Sequence, residues 1–341
     1  MTETFDVVVI GGGPAGENVA DRVIKAGLSA VVIESNLVGG ECSYWACMPS
    51  KALLRPGEAL RMVQRVPGAR EAVTGEINLA EALKQRDAMI SNLDDKWQVK
   101  WLNDNNIELI RGHGRIVGEK RVDVTHQDGT VTEVTANKAV VVSTGSISAT
   151  PPIPGLTESQ PWDSRVITNL TEPPKSLIIV GGGVVGVEMA QAWNDLGVEQ
   201  VTILERGPRL LSREESFAGE HIQKVFTEKY GIKVLTNADC TKIERPNGRN
   251  GNVVVTCDGE QLEAEQILIA TGRKPQTFDI GLESVGLAPG YFIRVDDQLR
   301  ATEVDGDWLY SVGDAKKVYT TSDGIQVGFR STTRVQSTSN M

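Results

Sequence analysis

The feature that most constrains this chain is written into it twice. Phe5 to Ile10 is an apolar run of the kind that forms a strand buried on both faces. It passes directly into Gly11-Gly12-Gly13-Pro14-Ala15-Gly16, then a helical stretch to about Ala26, then a second strand, Leu28 to Ile33, that ends on Glu34. Ser176 to Val180 starts the same series again: Gly181-Gly182-Gly183-Val184-Val185-Gly186, a helix to about Leu196, and a strand from Val201 to Leu204 that ends on Glu205. From first glycine to acid is 23 positions in one copy and 24 in the other. Both copies also close alike, Val140-Val141-Val142-Ser143-Thr144-Gly145 against Ile267-Leu268-Ile269-Ala270-Thr271-Gly272. A lone Gly-x-Gly-x-x-Gly says little. Between a strand and a helix, with an acid beyond, it predicts a dinucleotide cradle. Its first glycine makes the turn, the second admits a pyrophosphate to the backbone, the third lets helix pack on strand, and the acid accepts from a ribose diol. Duplication therefore predicts an α/β chain with two Rossmann-like dinucleotide sites.

A second stretch carries reactive chemistry. Gly39-Gly40-Glu41-Cys42-Ser43-Tyr44-Trp45-Ala46-Cys47-Met48-Pro49-Ser50-Lys51 sets two cysteines five positions apart. Zinc knuckles place about two to four residues between ligands, so no metal site is expected here. Five residues of α-helix rise about 7.5 Å, whereas bridged cysteines keep their Cα atoms roughly 4.4–6.8 Å apart. A bond between them requires a distorted first turn, with Cys42 at the helix entrance and Cys47 inside. A helix entrance favours a thiolate, and the glycine pair permits close approach to another group. The reading is a redox dithiol beside a bound cofactor; the alternative is two buried structural cysteines.

The run resembles the redox-active disulfide of the flavin-dependent pyridine nucleotide–disulfide oxidoreductases, a family that includes dihydrolipoamide dehydrogenase, glutathione reductase and mercuric reductase. Those commonly read Gly-Gly-Thr-Cys-x-Asn-x-Gly-Cys-x-Pro-Ser-Lys. This chain has Glu41, Tyr44 and Ala46 in place of Thr, Asn and Gly, and keeps the cysteines, the glycines, Pro49, Ser50 and Lys51. Leu309-Tyr310-Ser311-Val312-Gly313-Asp314 matches the family's second flavin motif, whose aspartate takes a ribityl hydroxyl. The resemblance implies a discontinuous FAD domain, residues 1–150 plus 275–314, around an NAD(P) domain, residues 151–274. The FAD contacts it implies are Gly11, Gly13, Pro14, Ala15, Gly16, Glu34, Gly40 and Lys51, with Gly114, Thr144, Gly145, Ser146, Gly313 and Asp314. Those it implies for the nicotinamide nucleotide are Gly181, Gly183, Val184, Val185, Gly186, Glu205 and Gly272. Glu205 stands where the 2′-phosphate of NADP would arrive, so NAD is expected over NADP, with Arg206 blunting the preference.

The resemblance also implies an activity, NAD(P)H:disulfide oxidoreduction. Electrons would pass from the nicotinamide through flavin to a Cys42–Cys47 disulfide and on to an external disulfide. Cys47 would face the flavin, Cys42 would attack the acceptor, and Lys51, paired with Glu188, would stand near flavin N5. Mercuric ion or quinone is an alternative acceptor, and a non-catalytic flavin-binding fragment is the reading from another class. Family members carry a further C-terminal domain of about a hundred residues or more. It supplies the homodimer contact and a histidine acid/base. The resemblance here covers about residues 5–314, and none of His113, His126 and His221 is followed by proline. A truncated product is therefore expected, with its dimer weakened or absent. Disulfide reduction is expected to slow by about 10²–10⁴-fold for want of a proton partner.

Composition bounds the rest. A net charge of −10 argues against nucleic-acid or anionic-membrane partners. Four cysteines in 341 residues are not a secreted disulfide framework. No apolar run approaches the ~18 residues of a span, and a strand starting near Phe5 leaves no room for a leader, so cytoplasm is expected. A helix is predicted from Pro49 to Val66. One long amphipathic helix is predicted through Leu79, Leu83, Ile90, Leu93, Trp97 and Trp101, its tryptophans forming a core or interface stripe. Cys240 to Glu244 and Val253 to Cys257 read as a hairpin whose cysteines serve as small apolar residues. Nine of the 27 residues from Ala315 to Met341 are Ser or Thr, which predicts a disordered, solvated tail.

Overall fold

Residues 2–248 and 251–318 are described by the structure, a computed structural model. The two apolar runs that precede glycine loops each become the centre of a parallel sheet. Thr2–Ile10 lies between Ala30–Glu34 and Val131–Val142, parallel to both. Side chains alternate across a strand, so Val8, Ile10, Val31, Ile33, Val140 and Val142 fill one core while Val7, Val9, Val32 and Val141 fill another. An unbroken apolar run is what such a strand needs, because helix or sheet covers each face.

By packing, the chain divides into two units, and each is described by itself. The first takes Met1–Gly40, Asp95–Ile147 and Lys274–Met341. Its seven-stranded sheet runs Glu108–Arg111, Ala30–Glu34, Thr2–Ile10, Val131–Val142, Arg121–Thr125, His113–Gly118. The long strand Val131–Val142 is shared: its first half pairs antiparallel with Arg121–Thr125, and its last residues pair parallel with Leu309–Ser311. Lys316–Val318 adds a strand beside Ile293–Val295, and Ala315 is buried. The expected disorder therefore does not begin at Ala315; residues 319–341 of that tail lie outside the described residues.

The second unit takes Glu41–Asp94 and Ser148–Arg273. Its parallel sheet runs Lys233–Thr236, Gln200–Glu205, Ser176–Val180, Gln266–Ile269. Residues 41–94 group here, not with the first glycine loop. The reason lies in the helix Cys47–Gln64, which packs on Val184–Asp195. Leu53 joins the core of Val187 and Trp193. Gly57 leaves no room for a Cβ beside the Asp195 carboxylate, and Arg61 Nη1 donates to both its oxygens at 2.8 and 2.7 Å.

Two expectations fail. The long amphipathic helix is two helices, Leu79–Met89 and Lys96–Asp104. Between them Ser91, Asn92 and Leu93 all take positive φ, a left-handed run that no α-helix continues. The tryptophans are not core, Trp97 being 60% and Trp101 39% exposed. Cys240 and Cys257 are not merely small apolar residues. Antiparallel register sets them opposite one another with Cα atoms 4.2 Å apart, and they form a disulfide. Their hairpin continues into a third strand, Glu260–Ala264. No helix among the described residues is long and apolar enough to cross a membrane.

Candidate active site and nucleotide cradles

The two glycine loops are built alike down to single atoms. Gly11 has φ +106° and Gly181 φ +110°. A Cβ on Gly11 would enter the Ser143 carbonyl, and one on Gly181 the Ala270 carbonyl. Gly16 and Gly186 touch the carbonyls of Gly11 and Gly181, so any side chain would push helix off strand. The middle glycines differ in kind. A Cβ on Gly13 would meet only Gly40 Cα at 3.9 Å, and one on Gly183 would meet nothing within 4 Å. Each caps a 12-residue helix, Pro14–Lys25 or Val184–Asp195, with no side chain on the first-turn N–H groups. Bare backbone, open space and a helix N-terminus together fit a pyrophosphate. Pro14 and Val184 open these helices, and Val184 is exposed.

The acids hold the loops. Glu34 Oε2 accepts from Gly12 N at 2.7 Å and Oε1 from Asn36 N at 2.7 Å. Glu205 repeats this, accepting from Gly182 N and Gly207 N at 2.6 Å each. A carboxylate has about four acceptor positions, so each keeps capacity for a diol. Residues 143–146 and 313–314 gather at the first loop. Ser146 Oγ donates to Asp314 Oδ2 at 2.8 Å. A Cβ on Gly313 would sit 3.2 Å from Ala15 Cβ, and Thr144 Oγ1 is buried with no partner in the protein. Gly145 has φ +72° and its carbonyl accepts from Gln276 N at 2.9 Å. Gly40, φ +57°, packs on Gly13. Gly114, in the strand His113–Gly118, packs among Ile10, Ile33 and Val122, and Gly272, φ +133°, accepts from Ala149 N at 2.9 Å.

Sequence reasoning missed Glu17. It lies in the first turn of Pro14–Lys25, mostly buried, with Oε1 lacking a hydrogen-bond partner. Burial, reinforced by the Glu34 charge, raises its pKa from 4.5 to about 7. The only signal was a carboxylate just past a glycine loop that faces another acid.

The cysteines depart from the expected single helix. Cys42 lies in the short helix Gly40–Tyr44, the chain breaks at Ala46 (φ −133°, ψ −93°), and Cys47 itself opens the helix Cys47–Gln64. They are present as two thiols rather than as a disulfide. The Cys42 hydrogen bond is the main cause that brings the Cys47 pKa from 9.0 down to about 6. Burial opposes the drop, Lys51 helps it, and Glu188 opposes it more weakly. Lys51 Nζ pairs with Glu188 Oε1 at 2.7 Å, so these two expected site residues do meet. Three further residues pin the cysteine loop. Thr168 Oγ1 donates to Trp45 O at 3.1 Å, Asn169 Nδ2 to Tyr44 O at 3.3 Å, and Arg165 pairs with Glu41. None was legible, because all lie more than a hundred residues away in sequence.

Two of the three histidines are hydrogen-bonded within their own unit. His113 Nε2 contacts Asp279 O at 2.5 Å, both nitrogens of His126 are hydrogen-bonded, and His221 lies exposed on Ser216–Lys229.

A family profile described as pyridine nucleotide-disulphide oxidoreductase matches residues 5–337. A mercuric reductase of Bacillus cereus is 33% identical over 91% of this chain and 48% of its own length. A dihydrolipoyl dehydrogenase of Chlorobaculum tepidum is 35% identical over 93% of this chain and 67% of its own. The chain thus spans about half the length of the mercuric reductases and two thirds of the dihydrolipoyl dehydrogenase. The Cu(II) complex of the HOCl-induced flavoprotein disulfide reductase RclA of Escherichia coli superposes with a TM-score of 0.78 at 27% identity, over 92% of this chain and 66% of that one. With two matched cradles and a polarised thiol pair in place, these likenesses settle the lineage: the chain belongs to the pyridine nucleotide-disulphide oxidoreductase family.

Proposed function

We propose that this protein catalyses reduction of a disulfide by a pyridine nucleotide: NAD(P)H, a proton and R–S–S–R′ give NAD(P)⁺, RSH and R′SH. FAD and a pyridine nucleotide are the family's cofactors. The observation that carries the reading is the thiol pair, Cys47 hydrogen-bonded to Cys42 in a segment that also pairs Lys51 with Glu188 at 2.7 Å, and the lowered Cys47 pKa of about 6 supports it. A thiol with that pKa is mostly thiolate at neutral pH, which is the state able to exchange with a disulfide.

The residue roles follow. Gly11, Gly13 and Gly16 with Glu34, Thr144 and Asp314 would hold FAD, and Gly181, Gly183 and Gly186 with Glu205 the nicotinamide nucleotide. Bound flavin would supply two-electron transfer between nicotinamide and sulfur. Lys51 keeps positive charge beside the thiolate and Glu188 holds it there. Cys42 attacks the acceptor, forming a mixed disulfide and releasing the first thiol; Cys47 then closes on Cys42, and the second thiol leaves. Glu205 favours NAD over NADP, since its carboxylate would repel a 2′-phosphate and both its oxygens already order the loop. Mercuric ion is the second acceptor to test, since dithiolates are strong ligands for soft metals.

The test is anaerobic. The FAD-loaded protein, oxidised first, is given NADH and then alkylated. Mass analysis should find Cys42 and Cys47 newly labelled, and Cys42→Ser should abolish turnover of small disulfides. No new thiols on NADH addition, or failure to bind FAD, rejects the assignment.

A further inference from the structure

The turn carrying Cys42 is enclosed by charges that the family motif does not contain. Glu41 stands where the common motif has threonine. Its carboxylate pairs with Arg165 Nε, and Arg273 Nη2 reaches its Oε2 at 3.4 Å. Arg165 also lies over Trp45, with Cζ 4.4 Å from the ring centroid. Arg273 Nη1 reaches Ser164 Oγ at 3.4 Å, at the start of the helix that Asp163 caps. One carboxylate and two guanidinium groups thus adjoin the cysteine turn, all partly shielded from water.

These charges are separable from the shape of the turn. Its peptide carbonyls are held independently, Trp45 by Thr168 and Tyr44 by Asn169. A carboxylate exchanged for its amide would therefore leave the loop path in place while changing only the field at the sulfurs. Two further charges, Lys51 and Glu188, act on Cys47 itself, from the helix Cys47–Gln64 and from Val184–Asp195.

We infer that Glu41, Arg165 and Arg273 are positioning residues that set the reactivity of the Cys42–Cys47 dithiol. Glu41 moderates two guanidinium groups that would otherwise draw negative charge onto both sulfurs. This rests on the disulfide-reductase reading for its purpose, but not for its measurement. The sign is fixed by charge alone. Removing Glu41's charge takes one negative charge from beside the turn, which stabilises thiolates, lowers both thiol pKa values and makes the dithiol harder to oxidise. Removing Arg165's charge leaves Glu41 half-opposed and does the reverse. One charge about 10 Å away at an effective dielectric near 30 shifts a pKa by roughly 0.5–1 pH unit.

The experiment uses the full-length, FAD-loaded protein reduced chemically with a phosphine, so it reads out whether or not NADH delivers electrons. Iodoacetamide labelling of Cys42 and of Cys47 is followed separately by mass spectrometry from pH 4.5 to 9.5. Glu41→Gln should move the midpoints down by roughly 0.5–1 unit, Arg165→Gln up by a similar amount, and the double variant back close to the parent. Equilibration with glutathione should show the same opposition: a larger dithiol fraction in Glu41→Gln and a smaller one in Arg165→Gln. A purely packing role predicts that both variants move the midpoints the same way or not at all, and either result overturns the inference. Should Arg165→Gln fail to fold, Arg273→Gln carries the same predicted sign. Loss of NADH reduction with the opposed shifts intact would count against the enzymatic reading alone.

Discussion

Glu17→Gln should make the protein more stable at alkaline pH and leave it nearly unchanged in acid. The Glu17 carboxyl is mostly buried beside Glu34, and one of its oxygens has no hydrogen-bond donor. Its folded pKa, about 7, lies above the ordinary 4.5. A raised acid pKa means the folded chain binds the proton more tightly than the unfolded chain. The resulting stabilisation is full below about pH 4.5 and declines as pH rises, until it is lost above about pH 7. Each pH unit of that interval is worth about 1.36 kcal/mol, so ionisation in place costs at most roughly 3 kcal/mol. Partial exposure and side-chain relaxation reduce this to about 1–2 kcal/mol. Glutamine has the same shape and no charge to place. Thermal unfolding of parent and variant, recorded in parallel at pH 5 and pH 8.5, should show the variant gaining roughly 2–8 °C relative to the parent between those conditions. Unfolding curves whose separation is the same at both pH values would refute the reasoning, because a shape effect has no reason to follow proton binding.

Two other outcomes follow from the same geometry. Gly186→Ala forces a methyl into the Gly181 carbonyl. It should weaken NADH binding at least tenfold, measured by fluorescence titration, while leaving FAD content unchanged; an NADH affinity within twofold of the parent would show that the loop yields. Replacing both Cys240 and Cys257 by Ala opens a closure spanning 17 residues and should cost about 3 kcal/mol against chemical denaturation under oxidising conditions. That gap should vanish when the parent is unfolded in excess reductant.

What was legible in the chain was what sterics dictates locally. Gly11, Gly16, Gly181 and Gly186 are required by a carbonyl that leaves no space for a Cβ, so spacing alone announces them. Glu34 and Glu205 follow from the same turn, and Lys51 and Glu188 from the family's motif. What stayed hidden depends on register or distance. Nothing in Cys240 and Cys257 states that their strands pair with those two residues opposite. The break at Ser91–Leu93 interrupts an apolar period that reads as continuous, because the backbone turns there while the side-chain pattern does not. The Arg165–Glu41 pair joins positions 124 apart. The grouping of residues 41–94 with the second glycine loop rests on the helix Cys47–Gln64 packing on Val184–Asp195, through Leu53, Gly57 and Arg61, and no local pattern announces that.

The polypeptide leaves one packing unit for the other at residues 40/41, 94/95, 147/148 and 273/274. During synthesis this imposes an order. Val131–Val142 emerges early, yet its parallel partner Leu309–Ser311 leaves the ribosome only after the entire second unit. The nascent first sheet must therefore wait with the last residues of that strand, Val140–Val142, unpaired along one edge. For the same reason no single proteolytic cut or contiguous subclone isolates either half intact. Separating them requires joining pieces end to end, with new loops in place of the crossings.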